Sequence, residues 1–108
     1  MIFSVGDHIQ QIIDGTKTQT RRSSDQFIVG RTYAIQPGRS KLGIHEGRIL
    51  ITEKRIEIVS LYNRISASDA QAEGGYTPEQ FEELYSEIYP GWNFRYAYTF
   101  RFIKRARL

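Results

Sequence analysis

Between Gly15 and Arg22 the chain reads Gly15-Thr16-Lys17-Thr18-Gln19-Thr20-Arg21-Arg22, which places three hydroxyls, one ammonium and two guanidiniums within eight residues. Such a cluster can hold an anion or a polar heterocycle. Hydroxyls both donate and accept, and the planar arginine fork donates two parallel hydrogen bonds to phosphate or carbonyl oxygens. On a strand, residues two apart share a face, so Thr18, Thr20 and Arg22 point one way and Lys17 the other. Lys17 meets Thr20 only if it sits on the turn after Gly15 rather than in the strand. The plain alternative is a solvated lysine beside a threonine that serves as an ordinary strand former.

Charge elsewhere is unevenly spread. Residues 66–91 carry Asp69, Glu73, Glu79, Glu82, Glu83 and Glu87 with no lysine or arginine, a balance of −6, against a formal +3 for the 108 residues. The rest therefore holds fifteen positives against six negatives, a balance of +9, and eleven of the positives are arginines. That excess suits an anionic partner without identifying one, and a solvated basic surface explains it equally. His8 and His45 have no carboxylate or histidine at ligand spacing, so no metal site and no cofactor are expected. Trp92 is either a base-stacking ring or a core filler.

Several classes are excluded. With no cysteine, the chain has neither disulfides nor thiolate metal sites. No apolar run approaches the ~18–20 residues needed to span a bilayer, and Met1–Asp7 lacks the pattern of an export signal. The expectation is a soluble cytoplasmic protein with no membrane partner. Its 108 residues, 40% of them hydrophobic and 13% aromatic, suit one domain over 1–108. The oligomeric state is not legible.

The elements that must position the polar segment are well marked. Ile9, Ile12 and Ile13 fall on one face of a short helix that Asp14-Gly15 stops. Thr16–Arg22 then reads as a strand, and Thr32–Gln36 as a second strand entered through Val29-Gly30. Pro37–Gly43 is a basic, turn-rich loop. Arg48–Tyr62 is a long β stretch whose apolar phase slips at Glu53-Lys54-Arg55, which a bulge explains better than a hairpin. Ser66–Asp69 caps a helix ending at Gly74-Gly75. Thr77, Pro78 and Gln80 open another, with Tyr76 stapled against Phe81, an apolar face of Phe81, Leu84, Tyr85 and Ile88, and a stop at Pro90-Gly91. In the last strand Phe94, Tyr96, Tyr98, Phe100 and Phe102 alternate with polar or small residues. That stripe is read as core in preference to a base-stacking platform. Lys104–Arg107 is expected to fray.

The segment Ile12–Arg22 resembles the ASCH family, whose signature is G-x-K-T-x-T-x-R after a short helix. Ile28-Val29-Gly30 resembles that family's entry to the second strand. Asp69-Ala70-Gln71-Ala72-Glu73-Gly74 is similar to its D-A-x-x-E-G segment, and Phe100 falls where its closing strand ends. The likeness runs from about Phe3 to Phe102. It implies an α+β fold: a small PUA-like mixed β-barrel of about five to six strands with two to three helices, one before strand two and one before the last.

The family's associations are with RNA, and a small bacterial branch hydrolyses the acetamide of N4-acetylcytidine. Ile88-Tyr89-Pro90-Gly91 resembles a helix end of that branch. The resemblance implies Lys17, Thr20 and Glu73 as catalytic residues: the threonine hydroxyl attacks, the lysine acts as base, and the glutamate delivers a proton. Arg22 would hold a phosphate or a base carbonyl. Arg21 stands where the branch has an apolar residue, and is expected at the rim or facing water. Thr18, Arg39 and Lys41 complete the candidate substrate-binding set. The alternative is a non-catalytic RNA-binding module in which Arg22, Arg39 and Lys41 meet phosphate, or, third, a ribonuclease using the same cleft.

Overall fold

The computed structural model describes residues 1–60, 62–88 and 91–106. Three helices and four strands follow in the order α1 (His8–Asp14), β1 (Gln19–Arg22), β2 (Thr32–Ala34), β3 (Gly47–Ser60), α2 (Ala67–Gly74), α3 (Pro78–Ile88) and β4 (Asn93–Lys104). The strands form one antiparallel sheet, β1-β4-β3-β2, curled into a half-barrel.

Four strands are fewer than the five to six that the resemblance implied, and beyond them the N-terminus adds one isolated bridge. Ile2 and Gln36 form a single parallel bridge, tied by Phe3 N to Gln36 O at 2.8 Å and Gln36 N to Met1 O at 2.8 Å. The chain start thus pairs for one step instead of laddering as a strand. For the same reason β2 is shorter than Thr32–Gln36, because Gln36 turns away from β3 to meet residues 1–3. The first helix accordingly precedes the first strand of the sheet, not the second.

β3 is one continuous strand, with irregular register between Ile51 and Glu53 and again between Ile56 and Val59. The first break is the phase slip at Glu53. Tyr62 lies beyond the strand in a turn, and Leu61 lies outside the described residues. Ser66 Oγ accepts from Asp69 N at 3.2 Å to open α2. Thr77 and Gln80 close a reciprocal capping box at the start of α3, Thr77 N to Gln80 Oε1 at 2.9 Å and Gln80 N to Thr77 Oγ1 at 3.1 Å. The expected helix stop at Pro90, and with it Tyr89 of the Ile88–Gly91 match, falls outside the described residues.

The aromatic stripe of β4 joins two cores. Tyr98 and Phe100, flanked by Tyr96 and Phe102, pack with Met1, Phe3, Ile12, Ile35, Ile49 and Ile51. Phe94 packs instead with Val59, Ile65, Ala70, Phe81 and Trp92, where Tyr76 also lies against the cluster containing Phe81. These rings fill cores, so they form no exposed stacking platform. Lys104 belongs to β4, and Arg105 is tied back by its N to Glu46 O at 2.9 Å, so the expected frayed tail is anchored as far as Arg105. Among the described residues no helix is long and apolar enough to cross a membrane, and no cluster of ligating side chains could hold a metal ion.

At the far end of β3, Gly47 faces Lys104, and a Cβ there would collide with the Ile103 carbonyl oxygen and the Phe102 ring. Gly47→Ala should therefore destabilise by about 1–3 kcal/mol, as overpacking does. Thermal unfolding should fall by several degrees; an unchanged midpoint would mean that the strand end can yield.

Candidate active site

Gly15 takes the left-handed conformation (φ 87°) at the C-cap of α1, and the chain turns sharply there. The backbone N–H groups of residues 16–18 all find partners outside the sheet, although Thr18 O still accepts from Phe100 N of β4 at 3.0 Å. Thr16 N donates to Asp14 Oδ1 at 2.9 Å, Lys17 N to Gln11 O at 3.0 Å and Thr18 N to Ala72 O at 2.9 Å. This is why β1 begins at Gln19 rather than Thr16, and it places Lys17 on the turn.

From that turn the Lys17 side chain runs inward until only 1% of it is exposed. Its Nζ donates to Gln19 O at 2.9 Å, to Glu73 O at 2.6 Å and to Glu73 Oε2 at 3.0 Å. Glu73, in the last turn of α2, is equally buried. Lys17 thus caps the C-terminal carbonyls of α2, where a cation is favoured by the helix dipole, and pairs with a carboxylate on the same turn. Three donors meeting three oxygens describe an ammonium facing a carboxylate. Burial nevertheless opposes charge on both: it pushes Lys17 below the ordinary lysine range, against the support of Glu73. It likewise pushes Glu73 above the ordinary carboxyl range, against the pull of Lys17 and Arg21. The proton between them is therefore held less tightly by lysine than in a solvated pair.

Along β1 the alternation divides the polar residues. Thr20 and Arg22 stand opposite Tyr98 and Tyr96 on the core face, and Gln19 and Arg21 stand opposite Thr99 and Ala97 on the other. Arg21 is not at the rim. It is buried, with Nη2 donating to Glu57 Oε1 and to Asp69 Oδ2, both at 3.0 Å, and Nε 3.9 Å from Glu73 Oε1. A charged residue is accommodated in the interior here because β3 supplies Glu57 and α2 supplies Asp69 to pair it. Arg22 donates through Nε to Thr20 Oγ1 at 3.2 Å and through Nη2 to Ile2 O at 2.7 Å. Its guanidinium lies 5.1 Å from the Phe3 ring centroid, and Lys17 Nζ lies 6.0 Å from the same ring.

A cleft of about 470 Å³ opens on this face, lined among others by Phe3, His8, Thr20, Arg22, Tyr85 and Trp92. It lies where the two hydrophobic cores meet, with Phe3 from one and Trp92 from the other. Trp92 packs edge-on to Phe81 at 5.7 Å and donates from Nε1 to Ser86 Oγ at 3.3 Å, so it is at once core and cleft wall.

The structure therefore brings Lys17 and Glu73 into contact, and it sets Thr20 in the cleft wall one residue from Arg21, which reaches Glu73. The Thr20 hydroxyl is engaged by Arg22, and among the described residues no hydrogen bond joins it to Lys17. Three other expectations do not converge. Thr18 precedes the strand and is exposed, so it leaves the face of Thr20. Arg39 and Lys41 are exposed on the 37–43 loop and do not line the cleft.

Sequence reasoning missed His8 and Tyr76. The imidazole Nε2 and the tyrosine hydroxyl lie 2.6 Å apart. Burial, with Lys17 and Arg22 nearby, lowers the His8 pKa to about 3, so the ring is neutral at physiological pH. One signal was present: His8 lies four residues before Ile12, on the buried face of α1.

Compared with known proteins, the chain matches no family model and no curated protein. It is similar to the crystal structure of protein EF3133 from Enterococcus faecalis V583, described under the family name DUF984. The TM-score is 0.61 at 23% sequence identity, over 99% of this chain and 82% of that one. At that identity the likeness concerns the fold alone.

Breaking the buried pair should be costly. Glu73→Ala leaves an ammonium unpaired in the interior and should destabilise by about 3–5 kcal/mol, whereas adding Lys17→Met should recover much of that loss. Denaturant unfolding of the two single variants and the double variant tests this; strictly additive losses would show that the two groups do not interact.

Proposed function

We propose that the chain is a PUA-like domain of the ASCH type whose cleft binds a cytidine nucleoside and hydrolyses an acetyl amide at N4. The observation that carries this is a buried lysine–glutamate pair one side chain behind a nucleoside-sized cleft walled by a threonine. Neither Lys17 nor Glu73 lines the cleft, but Lys17 Nζ lies 6.0 Å from the Phe3 ring and Glu73 Oε1 lies 3.9 Å from Arg21 Nε, and Phe3 and Arg21 both line it. A volume of about 470 Å³ falls within the ~300–1,000 Å³ common for small-molecule sites. Its aromatic walls with a few polar groups suit a heterocycle. The correspondence of Lys17, Thr20, Arg22 and Glu73 with the ASCH signature supports the choice of reaction.

The chemistry follows from the pair. Passing the Lys17 proton to Glu73 removes two charges from a dry site, the direction in which burial already drives both groups. The neutral amine then accepts the Thr20 proton as the hydroxyl oxygen bonds to the acetyl carbon. Arg22, released by Thr20, is placed to hold the developing oxyanion. The C–N bond breaks, Glu73 protonates the departing N4 amine, and cytidine leaves. Water then cleaves the threonyl acetate, releasing acetate and restoring the hydroxyl. For this Thr20 must exchange its bond with Arg22 for one with Lys17, and Lys17 must give up a carbonyl acceptor, so ligand binding has to rearrange these contacts.

Purified protein should release acetate and cytidine from N4-acetylcytidine. Thr20→Ala should lower the rate by at least about 100-fold, the lower range for losing a proton-transfer partner, while the protein stays folded. Folded wild-type protein that binds the nucleoside but releases no acetate would instead identify a binding module.

A further inference from the structure

One buried side chain in the cleft that the proposed chemistry does not use is His8. It is 3% exposed, lines the cleft and is paired through Nε2 with the Tyr76 hydroxyl at 2.6 Å. Among the described residues its other ring nitrogen, Nδ1, has no hydrogen-bond partner. A cleft-lining imidazole with one nitrogen fixed by the protein and the other without a protein partner is suited to ligand recognition.

The tautomer decides which nitrogen can donate to a ligand. Hydroxyl-donated bonds are the shorter kind, and with Tyr76 donating and Nε2 accepting across their 2.6 Å contact a neutral ring carries its hydrogen on Nδ1 and can donate from there. Tyr76 follows Gly74-Gly75 directly after α2, and its ring packs at 5.9 Å from that of His8. The same helix end that supplies Glu73 therefore holds the imidazole in orientation.

We propose that His8 is the specificity-determining residue of the cleft, donating from Nδ1 to a ring-nitrogen or carbonyl acceptor of a pyrimidine base, with Tyr76 as its positioning residue. This rests on the nucleoside-binding part of the proposed function and not on the hydrolysis. The chemical class follows from the surroundings: aromatic walls accept a flat ring, and a neutral donor recognises an uncharged acceptor on its edge.

Trp92, the sole tryptophan, lines the cleft, so its fluorescence reports occupancy. Titration with cytidine should quench it in the wild type. His8→Phe, which keeps an aromatic ring but no donor, should weaken binding about tenfold, the equivalent of one lost hydrogen bond. His8→Asn, which restores a donor, should recover most of that loss. With N4-acetylcytidine as substrate, the effect of His8→Phe should fall on KM and spare kcat. Independently of any variant, long-range 1H–15N spectra of the wild type should show His8 protonated on Nδ1, with that nitrogen shifting as cytidine is added. Undiminished cytidine binding by folded His8→Phe, an Nε2-protonated ring, or an Nδ1 signal indifferent to cytidine would each overturn the assignment. A wild type that binds no cytidine would overturn it together with the nucleoside reading. Binding without acetate release, with the His8 effects intact, would remove the hydrolase and leave His8 standing.

Discussion

Helix α2 lies against the first strand along a seam rich in charged contacts, and the positions of Lys17, Arg21 and Glu73 follow from it. From the β1 side come Lys17 and Arg21; from the helix come Asp69 and Glu73. Two backbone-directed bonds run beside them, Thr18 N to Ala72 O and Gln11 Nε2 to Gly74 O at 3.1 Å. Ions as desolvated as Lys17, Arg21 and Glu73 stabilise a fold only when each finds its partner, and a hydrophobic seam of the same shape would hold at least as well. Their presence in the interior is thus poorly explained by stability, and it is what the proposed chemistry would use, since a low-dielectric site makes a proton easier to move between an amine and a carboxylate.

The cleft owes its form to the division of the interior. One core gathers around the middle of β4 beneath α1 and the N-terminal residues; the other gathers under α2 and α3 around Phe81 and Trp92. β4 runs through both, with Phe94 in the second and Tyr98 and Phe100 in the first. Where the two meet a cleft opens, and the face of β1 that carries Thr20 and Arg22 lines it. Rigid packing on both sides gives the polar groups fixed positions, which is what orientation-dependent chemistry requires.

Much of the fold was legible because local rules agreed with the final packing. The Thr77–Gln80 capping box, the left-handed Gly15, the slip near Glu53 and the alternation of β4 each carry their cause within a few residues. The residues themselves marked four strands, as found; the count of five to six came from the family resemblance, while the single bridge of Ile2 to Gln36 has no local signature. At the site, the need for Lys17 to sit on the turn followed from strand alternation. The burial of Arg21 did not, since its partners Glu57 and Asp69 lie 36 and 48 residues away in sequence. The His8–Tyr76 pair spans 68 residues and has no local signature. Arg39 and Lys41 failed in the opposite sense: a basic loop advertises itself in composition without showing which surface it faces.

The most direct test is a pH titration of the Lys17 side chain by NMR, observing the nitrogen and its adjacent carbon in selectively labelled protein. Lys17 should lose its proton well below the ~10.4 of a free lysine, and it should do so at still lower pH in Glu73→Gln, where the supporting carboxylate is gone. A titration at the ordinary lysine value, indifferent to Glu73, would contradict the placement of a proton-exchanging pair at the heart of this fold.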